Sequence, residues 1–134
     1  MSTPEAEARR WLAYARSDLE AAQELLQKPR HYPRQVCFLA QQAAEKALKA
    51  ALVFAGVGLP HSHDLDALRN LLPDGWRVKA EHPDLGSLSV WAVEARYPGD
   101  APEAVEADAR AAHQQAQTIW ESVNAELAER GLSI

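Results

Sequence analysis

A single cysteine, Cys37, stands among 134 residues, so no internal disulfide can form, and a reducing cytoplasm is the simplest home for the chain. No run approaches the roughly 20 apolar residues that a membrane span needs. The start, Met1-Ser2-Thr3-Pro4-Glu5, lacks the cationic then apolar order of a secretory signal. Positive charge is also short. Fourteen Lys and Arg against nineteen Asp and Glu leave a formal net charge of -5. That balance works against whole-molecule attraction to DNA or to an anionic membrane, and it makes any phosphate site a local one. Alternation with a period of two, bounded by hairpin turns, is missing throughout, so no sheet is predicted. Internal repeats, low-complexity runs and interdomain linkers are missing as well.

What remains is the composition of a globular domain, with 47% hydrophobic and 25% charged residues. At this length one domain spanning 1–134 is expected. From Pro4 to Gln27, Trp11, Leu12, Ala15, Leu19, Ala22 and Leu26 trace one stripe of a long helix. Lys28-Pro29-Arg30-His31-Tyr32-Pro33 breaks it. A second long helix follows to about Ala55, with Val36, Ala40, Ala43, Ala47, Ala50 and Phe54 on its apolar side. So short a connection makes the two antiparallel neighbours. Asp64 can cap a third, short helix through Leu72. Residues 76–83 read as irregular and 84–97 as a fourth helix. Asp100-Ala101-Pro102-Glu103 reads as a capping box opening the last long helix, which runs to about Arg130. The predicted fold is an all-α antiparallel up-and-down bundle of four to five helices.

The second helix poses a separate question on its polar side, where Gln42, Glu45, Lys46 and Lys49 share one face. Lys46 and Lys49 can hold phosphate oxygens with Gln42 on a base or sugar, or Glu45 and Lys49 can form an i,i+4 surface pair. His61-Ser62-His63-Asp64 offers two imidazoles and a carboxylate, but a metal needs three or four convergent ligands. A capping role for Asp64 is the competing reading. His31, His63-Asp64 and Asp108 follow the order of HD-type metal phosphohydrolases, at loose spacing. Arg96-Tyr97 lies between helices, where a guanidinium and a phenol can meet an anion, unless Arg96 pairs with Asp100, Glu103 or Glu106. Arg77 and His82, four residues apart in an irregular stretch, are weak candidates for metal-independent phosphodiester cleavage. Cys37, beside Phe38 and Leu39, reads as a small core residue. Trp91 and Trp120 are the tryptophans best suited to an interface.

Taken in order, Asp18-Leu19, then Gln41-Gln42-Ala43-Ala44-Glu45-Lys46-Ala47-Leu48-Lys49, then His63-Asp64-Leu65, then Arg96-Tyr97-Pro98 resemble the HEPN domain family over about Ala8 to Leu127. The resemblance implies a helical bundle that usually dimerises, in a cytoplasmic prokaryotic protein often encoded beside a small nucleotidyltransferase as a toxin–antitoxin-like pair. Joined with the residue reading, it leads to an expected non-catalytic or weakly catalytic protein that binds a nucleotide or RNA phosphate through Lys46, Lys49, His63, Asp64, Arg96 and Tyr97, with no cofactor or metal. In the nuclease branch an arginine is followed after four to six residues by a histidine near the start of the last long helix. Here Arg96 is followed by no histidine up to Glu103 and the Arg77 and His82 pair lies elsewhere, so a metal-independent ribonuclease using Arg77 or Arg96 with His82 stands as the second alternative. A purely structural interaction module is the third alternative.

Overall fold

The computed structural model of the chain describes residues 3–132. Helix α1, Pro4–Leu26, opens with proline in its first turn and with the Thr3 hydroxyl accepting from the Ala6 N–H at 3.1 Å. Glu5 and Glu7 place negative charge at the same positive helix end. Its stripe of Ala8, Leu12, Ala15, Leu19, Ala22 and Leu26 is buried. The reversal into α2, Pro33–Phe54, is tight, with His31 and Tyr32 both in the left-handed region at φ 57° and 43°. His31 helps to hold it: Nδ1 lies 2.7 Å from the Leu26 carbonyl oxygen, and Nε2 lies 3.4 Å from a Glu106 carboxylate oxygen.

α2 is the central helix. It packs on α1 and on the last long helix, α7, Glu106–Glu129, and its inner positions are small: Ala40, Ala43, Ala44, Ala47, Ala50 and Ala51 are fully buried. Small side chains on several sides let two long helices approach the same axis. α7 runs antiparallel to α1, since the Trp120 indole N–H donates to the Leu12 carbonyl while His113 approaches that of Leu19.

Between α2 and α7 lie α3 (Leu65–Asn70), α4 (Arg77–Glu81), α5 (Gly86–Ser89) and α6 (Trp91–Glu94). After α3 the chain descends along the bundle: Arg77 pairs with Glu129, His82 with Ser122, the Asp84 carbonyl with Gln115, and the Ala95 carbonyl with Arg34. The bundle therefore has four legs, three continuous and one segmented. All the described secondary structure is helical.

Three local expectations change. The stretch 76–83 contains α4, because the Glu126 carboxylate reaches across from α7 and accepts from the Arg77 and Val78 N–H groups, each at 2.9 Å. The single helix expected over 84–97 is two short ones, in a stretch where Gly86, Val90 and Val93 have poor helix propensity. α7 begins at Glu106 rather than near Asp100. β-Branched Val105 stays extended there, and the Asp108 carboxylate accepts its N–H at 2.9 Å.

Candidate functional site

The polar face of α2 closes on itself around Glu45, which is 5% exposed. One carboxylate oxygen accepts from Gln41 at 3.1 Å and from His63 Nδ1 at 2.9 Å, and the other faces Lys49 Nζ at 2.9 Å. Burial acts to raise the Glu45 pKa, but the hydrogen bonds from Lys49, His63 and Gln41 outweigh it, so the group is held below its ordinary value. Gln41, fully buried, also donates to the His63 carbonyl. Lys49 sits 5.6 Å over the Trp11 ring, and Lys46 is 2.7 Å from an Asp18 oxygen on α1. Both lysines thus already have carboxylate partners. His63 keeps a largely exposed ring. Asp64 caps α3 by accepting from the Ala67 N–H at 3.2 Å.

Arg96 and Tyr97 are placed elsewhere. The Arg96 guanidinium lies 5.7 Å from the Phe38 ring centroid and 5.3 Å from that of Tyr97. Phe38 precedes Glu45 by seven residues, two turns or roughly 10 Å along α2. The His63-Asp64 segment therefore joins the Glu45 cluster, while Arg96-Tyr97 sits toward the start of α2. There it borders a cleft of about 430 Å³ with Arg34, Trp91, Glu94 and Glu103, under the loop that leads to α7. A second hollow of about 670 Å³ shares Arg34, Arg96 and Tyr97 and has an apolar side of Leu25, Phe38 and Leu39. Arg34 Nη1 donates to the Ala95 carbonyl at 2.9 Å. Among the described residues neither Arg34 nor Arg96 forms an ion pair, in contrast to Lys46, Lys49, Arg69, Arg77, Lys79 and Arg130.

The HEPN domain model matches residues 8–126. The chain belongs to the HEPN family. A solved structure from Thermus thermophilus, TT1696, is 28% identical and superposes with a TM-score of 0.76 over 90% of this chain and 98% of that one. ST0689, described as an archaeal HEPN homologue, is 27% identical with a TM-score of 0.65, over 93% of this chain and 98% of its own. A Methanocaldococcus jannaschii protein named "Putative toxin MJ1304" is 35% identical over 98 residues, which are 68% of this chain and 63% of that protein's length.

Within this HEPN chain the other sequence candidates separate. Arg77 pairs with Glu129 at 3.0 Å, while His82 bonds to Ser122 at 2.9 Å, seven residues earlier on α7. Those anchors are about 10 Å apart along the helix, beyond the width of one phosphate. His82 is also 8% exposed. Its pKa is lowered, chiefly by burial, with Glu81 opposing and Arg69 adding to the effect. His31, His63, Asp64 and Asp108 serve four places: the α1–α2 turn, Glu45, the α3 cap and the α7 cap. Among the described residues no group of three or more His, Cys, Asp or Glu could hold a metal. Cys37 is buried and its thiol is pushed up to about 12, mainly by burial with Asp108 adding to it, which leaves no reactive thiolate. No described helix is long and apolar enough to cross a membrane.

Sequence reasoning missed Arg34 and Glu126. Arg34 follows Pro33 in a stretch that reads only as a helix start. Glu126 shows in the sequence only as a charge on the same side of α7 as Val123 and Leu127.

Proposed function

We propose that this HEPN protein is the toxin-like component of a two-component cytoplasmic module, acts as a homodimer with a nucleotidyltransferase partner, and binds a nucleotide or RNA phosphate at the Arg34–Arg96–Tyr97 cleft. The name of the Methanocaldococcus jannaschii relative supports the toxin-like part of this reading. One observation carries the phosphate part. Two guanidinium groups without carboxylate partners among the described residues line one nucleotide-sized cleft, with a tyrosine between the cleft and the adjoining hollow. Arginine presents a planar fork suited to phosphate oxygens, and an unpaired one has no ion pair to give up on binding.

Of the six binding residues expected from the sequence, Arg96 and Tyr97 keep a direct ligand role in this proposal. Lys46, Lys49, His63 and Asp64 support the fold rather than the ligand in this reading, because each is already engaged. Isothermal calorimetry with AMP tests the assignment. Arg96→Ala and Arg34→Ala should each weaken binding by about tenfold or more, the effect of losing one charged hydrogen bond, and Lys46→Ala should leave it nearly unchanged. Unchanged affinity in both arginine variants would refute it. The module reading fails if a nucleotidyltransferase encoded beside this chain, co-expressed with it, does not co-purify.

A further inference from the structure

The cleft holds charges of both signs. Arg34 and Arg96 border it together with Glu94 and Glu103, and among the described residues none of these four forms an ion pair. Elsewhere opposite charges close on one another, as in Lys46 with Asp18 and Arg110 with Glu106. Two cations and two anions that share a cleft without touching leave acceptors as well as donors for a ligand. Trp91 and Tyr97 line the same cleft and provide faces on which a ring can stack.

We infer that the cleft selects a nucleotide with a single phosphate group and an amino-bearing base, such as AMP, over a uracil nucleotide and over a nucleoside triphosphate. This rests on the phosphate reading of Arg34 and Arg96 given above. The phosphate takes the two guanidiniums, the base stacks on an aromatic face, and the exocyclic amine donates to a glutamate. A uracil ring presents a carbonyl where adenine has its amine, and its N3–H donor lies one atom further along the edge, so the ring must shift to give the carboxylate a proton. A triphosphate adds negative charge where the two glutamates already balance the two arginines, so each added phosphate meets repulsion without a further cation.

The test is calorimetry on the full chain with AMP, UMP and ATP, repeated on Glu94→Gln/Glu103→Gln and on Arg34→Ala/Arg96→Ala. AMP should bind about tenfold or more tightly than UMP and ATP, the effect of one charged hydrogen bond made or lost. The glutamine variant should lose most of that preference and gain affinity for ATP. The arginine variant should lose binding of all three. Equal affinity for AMP and UMP, or ATP binding more tightly than AMP, in a protein whose binding the arginine variant abolishes overturns the selectivity and leaves the phosphate site standing. Binding that survives the arginine variant overturns both.

Discussion

Glu45 keeps its charge in a buried place because three donors surround it, and its removal should be felt beyond its own volume. In Glu45→Ala the Lys49 ammonium, with 14% of its side chain exposed, loses its partner, and His63 loses its anchor. Breaking one side of such a pair costs about 3 kcal/mol. Lys46→Ala breaks a pair whose side chains are 23% and 18% exposed, and about 1 kcal/mol is expected there after allowance for solvent screening. Urea unfolding compares the two, and equal losses would remove Glu45 from its central position. The pH dependence has two windows. The folded Glu45 carboxyl lies below its ordinary 4.5, so its contribution is present above that value and lost as pH falls through the folded pKa. The folded His82 imidazole lies below its ordinary 6.5, so the unfolded chain takes up a proton first, and stability falls as pH drops below 6.5. His82→Gln should therefore flatten the stability profile between about pH 7 and 5 relative to the parent while leaving the carboxylate window in place. Parallel profiles for parent and variant would count against a neutral, buried His82.

Helical elements differ in how far their causes lie from their own residues. α1 was legible because its cap, its first-turn proline and its apolar stripe all fall within Thr3 to Leu26. α4 was not, because the carboxylate that satisfies its first N–H groups belongs to Glu126, 48 residues beyond Val78. The candidate site divides the same way. The row Gln42, Glu45, Lys46 and Lys49 was visible as a helical face, but which of its charges are already paired depends on Asp18 and Trp11 of α1 and on His63. The unpaired state of Arg34 and Arg96 depends on how the segmented leg returns to the start of α2. The dependence of α4 on α7 can be measured. Glu126 is 3% exposed and also faces Arg130 at 3.2 Å, so Glu126→Ala leaves two N–H groups and part of an ion pair unmet. A stability loss of about 2–3 kcal/mol is expected from orphaned buried donors, with hydrogen exchange rising at Arg77 and Val78 before it rises in α2. Uniform exchange across all helices would mean that α4 does not open as a separate unit.

At the scale of the molecule, a net charge of -5 sets how a phosphate ligand can be held. A protein that gathers nucleic acid by its overall field has a wide basic surface, and its affinity falls steeply with salt as many counterions are released. Here most cations around the bundle are paired with acids, and the proposed contact rests on Arg34 and Arg96. For a single strand the slope of log K against log salt is about -0.7 per neutralised phosphate, so one phosphate held by both arginines gives a slope of about -0.7. The measurement is the affinity for a short single-stranded RNA from about 50 to 300 mM salt, with Arg34→Ala as a control expected to weaken binding at every salt concentration. A slope of about -4 or steeper would require five or six phosphate contacts. It would place the nucleic-acid surface outside this cleft, across an assembled pair of chains or on the partner protein. A shallow slope together with a large loss in Arg34→Ala would tie recognition to the few groups that the segmented leg brings to the start of α2.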